Sequence, residues 1–214
     1  MGKCMKNQTF VLSIPYFDRI NNSAGSWEAV VRASSGQQAW DTVNDLLGEG
    51  EGIQQVLKLL IKDGIIDELP GLEGVTDEEE LLAAYDLEIG DYSLFRPATL
   101  PSLKTARHGR RPSRFVLTIP FTDHWVCSTY HSWEIAISAS SPEEARSLVA
   151  ERFGDKRQVI DQLVRCGAIG EMPENAELED EDEYESEYLL TLGEPKLWHA
   201  RDLPALDEAV RAAA

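Results

Sequence analysis

Cysteine is scarce in this sequence and poorly spaced for chemistry. Cys4, Cys127 and Cys166 are the only three in 214 residues. No two form a CxxC, and the odd count fits reduced thiols rather than a disulfide framework. Long apolar runs are missing as well. No stretch approaches a membrane span, the opening MGKCMKNQTF lacks the apolar core of a signal peptide, and Lys3-Cys4-Met5-Lys6 after Gly2 lacks the Ser or Thr of a myristoylation start. A cytoplasmic protein without a membrane partner is expected. Basic charge is the third shortage, with 20 Lys and Arg against 38 Asp and Glu for a net charge of −18. A surface this acidic repels phosphates, so direct nucleic-acid binding by the folded domains is not expected. Familiar chemical motifs are missing too: there is no GxSxG, Walker loop, GxGxxG after a strand, or HExxH. A non-enzymatic protein without a cofactor is expected. What the composition does supply is a core, since 43% of residues are hydrophobic, with six Phe, six Tyr and five Trp.

The residues present are arranged as a duplication. Thr9 to Asp18 (TFVLSIPYFD) returns as Arg114 to Asp123 (RFVLTIPFTD), 105 residues later. Trp27-Glu28 returns as Trp133-Glu134, and Ala33-Ser34-Ser35 as Ala139-Ser140-Ser141. Further on, Gly64, Ile66, Glu68 and Pro70 match Gly167, Ile169, Glu171 and Pro173 at a shift of 103. Tyr85, Leu87 and Gly90 likewise match Tyr188, Leu190 and Gly193, and Leu100-Pro101 matches Leu203-Pro204. Three residues are lost between Trp40 and Lys58, which points to the turn at Gly48 to Gly52. A period this long argues for two domains rather than a solenoid. The boundaries are a first repeat at 7–103, a basic linker at 104–112, a second repeat at 113–206, and a short C-terminal helix or tail at 207–214.

Periodicity predicts the same elements in each copy. Phe10, Leu12, Ile14 and Tyr16 alternate as do Phe115, Leu117, Ile119 and Phe121, which reads as a half-buried strand. Trp27, Ala29, Val31 and Ala33, and Trp133, Ile135, Ile137 and Ala139, predict a second strand that closes an antiparallel hairpin. Ser35-Gly36-Gln37-Gln38 and Ser141-Pro142-Glu143-Glu144 are capping boxes, the latter with proline at the first helical position. The first helix carries the stripe Ala39, Val43, Leu46, Leu47 or Ala145, Leu148, Val149, Phe153. The second buries Ile53, Val56, Leu57, Leu60 or Ile160, Leu163, Val164 and is capped by Gly64 or Gly167. A third strand ends at Gly90 or Gly193, where it bulges or turns into a short fourth, with Pro195 marking an edge. The fold class is α+β: a tandem duplication of a two-layer β-β-α-α-β unit, an antiparallel sheet with helices on one face. The polar sheet face left over carries Val30, Ala136 and Leu189, enough to permit a homodimer as well as a monomer.

Candidate functional residues cluster by charge. Residues 1–100 hold 17 acids and 7 bases, residues 115–214 hold 21 and 8, and the five bases of 101–114 stand alone. Between Pro70 and Tyr85, and again between Pro173 and Tyr188, lie acidic runs of equal length. The candidate partner-binding residues are Glu73, Asp77, Glu78, Glu79 and Glu80 in the first run, and Glu177, Glu179, Asp180, Glu181, Asp182, Glu183, Glu185 and Glu187 in the second. A groove that gains affinity by neutralising phosphates and releasing counterions accepts suitably spaced carboxylates in their place. A solvated acidic loop or helix start is the bland alternative. Neither run has the residue order of an EF-hand.

Other candidates are weaker. His124, Cys127 and His131 could ligate zinc, but no fourth ligand is designated and the first copy has no counterpart, so no metal is expected. Asp18 and Asp123 suit turns. Trp27 and Trp133 are in the core phase, whereas Trp40 and Trp125 could anchor an interface. His199 aligns with Arg96. In charge and size, though in no motif, the chain resembles the nucleic-acid-mimicking antirestriction and anti-CRISPR inhibitors. That resemblance implies an acidic inhibitor that occupies the basic surface of a nucleic-acid-handling protein. The alternatives are a scaffold whose two similar modules give avidity and an enzyme with an unfamiliar site.

Overall fold

The first hairpin forms where the period-2 pattern places it. β1 (Gln8–Asp18) pairs antiparallel with β2 (Ser23–Ala33) along its whole length, and β6 (Ser113–Asp123) pairs with β7 (Thr129–Ala139) in the same register. The structure is a computed structural model that describes residues 7–48, 52–72, 74–104, 113–124, 129–170, 185–186 and 188–213. In the first copy the hairpin is followed by α1 (Gly36–Leu47), α2 (Gly52–Lys62), α3 (Glu78–Tyr85), β3 (Leu87–Ile89) and β4 (Ser93–Phe95). After β5 (Ser102–Lys104), the second copy adds α4 (Pro142–Phe153), α5 (Lys156–Arg165), β8 (Leu190–Leu192) and β9 (Lys196–Trp198) to its hairpin, and α6 (Leu206–Ala213) ends the described chain.

Both predicted serine caps form, Ser35 accepting from the Gln38 N–H and Ser141 from the Glu144 N–H, while the Gln38 and Glu144 side chains reach back one residue further, to the Ser34 and Ser140 N–H groups. The second helices end as expected at left-handed glycines, Gly64 (φ 67°) and Gly167 (φ 74°). Ile65 N–H bonds to Leu60 C=O and Ala168 N–H to Leu163 C=O, at 2.9 Å each, closing a Schellman motif in both copies. The three-residue loss falls at the junction between the helices, where residues 48–51 of the first copy answer to 154 alone in the second. The third strand is a broken one. β3 and β4 both pair with β1, at opposite ends, and β8 and β9 do the same along β6. At the break, Gly90 N–H bonds to Pro15 C=O and Gly193 N–H to Pro120 C=O, each at 2.8 Å.

The helices of each copy cover the face that carries Phe10, Leu12, Ile14, Trp27 and Ala29, or Phe115, Leu117, Ile119, Ile135 and Ile137. Each of the Leu, Ile and Phe side chains among them contributes about 1.5–3 kcal/mol by leaving water. The other sheet face departs from the sequence reading. β1 and β6 are not half-buried: Val11, Ser13, Val116 and Thr118 are as inaccessible as the core residues on the opposite side. The two sheets pack against each other through these faces, β1 on β7 and β2 on β6, to give helix, sheet, sheet, helix layers. Ser13 and Thr118 tolerate this seam because they find partners there, Ser13 Oγ lying 3.2 Å from Ser132 Oγ and Trp198 Nε1 donating to Thr118 Oγ1 at 2.9 Å.

Each copy also lends an arm to the other. β5 follows the first copy but runs parallel to β7 of the second, with Ala136 N–H bonded to Pro101 C=O at 2.9 Å. Reciprocally, Val30 N–H of β2 bonds to Pro204 C=O at 2.8 Å, and Ala205 bridges Val30. Pro101 and Pro204 are corresponding residues, as are Ala136 and Val30. The chain then continues into α6, whose Leu206 and Ala209 are buried in the first copy's core. Val30 and Ala136, read as capable of supporting a homodimer, are thus buried within one chain.

Candidate functional site

The first acidic run builds a helix start. Asp77 is the N-cap of α3, accepting from Glu80 N–H at 2.9 Å, and Glu78, Glu79 and Glu80 fill the first turn, where the helix dipole favours negative charge. Leu81 anchors the helix in the first core. The preceding segment is tied down by Gln54 Nε2, which donates to Val75 C=O at 3.0 Å, and by Leu69 N–H, which donates to Tyr85 Oη at 3.3 Å. Asp77, Glu79 and Glu80 are exposed and Glu78 is half-buried. Among the described residues no Lys, Arg or His forms an ion pair with any of the four. Tyr92 lies close enough to feel this charge: burial, and then Glu78, raise its phenol to about 12.

Of the remaining acidic candidates, Glu73, Glu177, Glu179, Asp180, Glu181, Asp182, Glu183 and Glu187 lie outside the described residues. Glu185 turns inward. One oxygen takes Lys156 Nζ at 2.6 Å and the other takes Leu192 N–H at 2.6 Å, so it ties α5 to β8.

A second polar cluster, unmarked by sequence reasoning, sits in the seam between the sheets. Glu28 and Glu134 follow the two repeated tryptophans and occupy corresponding places on β2 and β7. Glu28 accepts from Ser26 Oγ and lies 4.0 Å from Lys196 Nζ, which also donates to the Ser26 carbonyl. Glu134 accepts from Ser132 Oγ at 2.5 Å and from Ser93 Oγ at 3.4 Å. Ser93 is the counterpart of Lys196, so one carboxylate has a cation where its twin has a hydroxyl. Burial raises the Glu134 carboxyl to about 7 and the Glu28 charge adds to the rise, against the hydrogen bonds from Ser132 and Ser93. The signal was present in the aligned copies as Ser93 against Lys196, but only the packing shows that these positions face the opposite copy's glutamate.

The weaker candidates resolve into structural roles where they are described. Asp18 accepts from Asn21 N–H and Nδ2 at 3.1 and 2.6 Å, a turn role. Trp27 is buried and donates to Asp63 at 2.7 Å, and Trp133 packs on Phe153 with ring centroids 5.8 Å apart. Trp40 packs partly buried against the first core, while Trp125 and Cys127 lie outside the described residues. His124 Nε2 lies 3.0 Å from Thr191 Oγ1 with its ring edge-on to Phe17, and His131 packs on Phe121. Among the described residues no three His, Cys, Asp or Glu are grouped to hold a metal, and no helix is long and apolar enough to cross a membrane. No family model matches the sequence, and no curated protein or solved structure matches it.

Proposed function

We propose that the protein is a non-enzymatic binder whose acidic surface occupies the basic groove of a nucleic-acid-handling protein and so blocks access to nucleic acid. The observation that supports this most is the first turn of α3, where Asp77, Glu78, Glu79 and Glu80 carry no counter-charge among the described residues and are held by a capped, anchored helix. Carboxylates carried on an ordered backbone lose less conformational entropy on binding than those of a flexible acidic tail, so more of their attraction to Lys and Arg survives as affinity. A partner groove already built to release counterions gains the same benefit from this helix as from phosphates. The net charge of −18 speeds encounter with such a partner and repels nucleic acid itself.

The test is affinity capture from the native host with the intact protein, followed by a nucleic-acid competition assay on each captured protein. The expected partner is a basic protein that elutes as salt rises above about 0.1 M, is displaced by duplex DNA or RNA, and loses its nucleic-acid binding when this protein is added. Capture that is insensitive to salt, or unchanged when Asp77→Asn, Glu78→Gln, Glu79→Gln and Glu80→Gln are combined, overturns the reading.

A further inference from the structure

One groove runs against the charge of the whole molecule. It lies at the seam between the copies, has a volume of about 490 Å³, and is lined by Arg32 of β2, Arg96, Arg114 of β6, His199 and Arg201. Acids outnumber bases nearly two to one in the chain, with 38 against 20, yet no carboxylate lines this groove among the described residues. Arg201 pairs with the neighbouring Asp202 at 3.5 Å. Arg32, Arg96 and Arg114 have no ion-pair partner among the described residues. Arg114 Nη2 donates to Leu100 C=O at 2.6 Å, while its Nε is buried with no hydrogen-bond partner among the described residues. A buried guanidinium donor left unsatisfied is costly, as are several like charges gathered without a counter-ion.

The lining comes from corresponding positions of the two copies, Arg96 with His199 and Ala98 with Arg201, so the groove straddles the approximate two-fold that relates them. His199 Nδ1 accepts from Arg201 N–H at 3.2 Å, which leaves Nε2 to donate. Burial and then the Arg201 charge hold this imidazole below its ordinary pKa, against the opposing charge of Asp202. Guanidinium forks match phosphate oxygens bidentately, and the number of forks here exceeds what one carboxylate can accept. Val30, Pro97 and Ala200 add apolar wall for an uncharged body, and the volume is that of an ordinary small-ligand pocket. A long polyanion would have to cross the acidic surface on either side, whereas a compact one need not.

We propose that this groove binds a small phosphorylated ligand, of the size and charge of a nucleoside diphosphate, held across the seam by Arg32, Arg96, Arg114 and Arg201. The site stands apart from α3, so it holds or fails independently of the function proposed above. Calorimetric titration of the full chain at fixed ionic strength with ADP, inorganic pyrophosphate and adenosine tests it. ADP and pyrophosphate bind saturably at one site per chain, and adenosine does not. Arg32→Gln combined with Arg96→Gln weakens ADP about a hundredfold, roughly tenfold for each fork removed. Among the described residues neither arginine makes an ion pair. Ala98→Glu, at an exposed position, produces the same loss by placing a carboxylate in the groove and removing no arginine. Absence of saturable ADP and pyrophosphate binding, undiminished binding in both variants, or tighter binding of a single-stranded oligonucleotide than of ADP overturns the proposal.

Discussion

Gly193 lies against the backbone carbonyl of Ala24 so closely that a β-carbon would overlap it, and the corresponding Gly90 lies in the same way against the carbonyl of Tyr130. Neither glycine has a positive φ. Their backbone conformation would accept alanine, so glycine is required by the approach of the other copy's second strand. The break between β3 and β4, or β8 and β9, is therefore a contact point as well as a kink. Gly193→Ala and Gly90→Ala are each expected to cost about 1–3 kcal/mol through overpacking. Gly170→Ala, with nothing near its β-carbon among the described residues and no positive φ, is expected to leave stability almost unchanged. Urea unfolding of the three variants checks the contrast.

Glu134 makes stability depend on pH in an unusual direction. Its folded carboxyl, raised from 4.5 to about 7, holds a proton that the unfolded chain has released. Between those values the folded state binds more protons, so stability falls as pH rises through the window, and the cost is fully present above pH 7. Glu134→Gln keeps an oxygen for the Ser132 and Ser93 hydroxyls and removes the charge. It is expected to stabilise the protein by roughly 1–3 kcal/mol at pH 8 and to be near neutral at pH 4. Ser93→Lys, which copies the Lys196 arrangement around Glu28, is expected to flatten the same pH dependence by giving Glu134 a cation. Urea midpoints at pH 4, 6 and 8 measure both effects.

What could be read from the sequence is what local physics determines. Ser35 and Ser141 announced helix starts, Gly64 and Gly167 helix ends, and the alternation around Leu12 and Leu117 two hairpins, because caps and pleats act over a few residues. The seam escaped this reading because Ser13, Ser26, Glu28 and Thr118 are polar and so marked a face expected to meet water. They are buried because the opposite sheet packs over them and gives Ser13 and Glu28 partners in Ser132 and Lys196, and alternation carries no information about a partner a hundred residues away. The arginine groove was hidden for the same reason, since Arg32, Arg96, Arg114 and Arg201 converge only once the copies are docked. The acidic run before Tyr85 was visible as charge, but the helix that holds its carboxylates in place was not distinguished from a loop.

The reciprocal arms make the first copy dependent on the end of the described chain. Leu206 is almost inaccessible and packs in the core formed by β1, β2, α1 and α2. Its truncation, Leu206→Ala, is expected to cost about 2–5 kcal/mol, although it lies more than a hundred residues from that core in sequence. Hydrogen exchange should show the loss in residues 8–60 rather than in the adjacent β8 and β9. Exchange that increases only around β8 and β9 would contradict the exchanged-arm arrangement.

Asp77 has two roles that substitution can separate. Its side chain accepts the Glu80 N–H, a cap worth about 1 kcal/mol, and its charge adds to the acidic face. Asparagine keeps the cap and removes the charge, whereas alanine removes both. Asp77→Ala is expected to lower the unfolding free energy by about 1 kcal/mol, and Asp77→Asn to change it little. In binding to a basic partner groove the two should weaken affinity alike at low salt if charge is what the groove reads. With Glu79→Gln and Glu80→Gln added to Asp77→Asn, the slope of log affinity against log salt should become shallower by an amount that grows with each carboxylate removed. A loss of affinity confined to the alanine variant would mean that the partner requires the ordered helix and not its charge. Titrations at three or more salt concentrations, with circular dichroism to confirm that α3 persists, decide between the two.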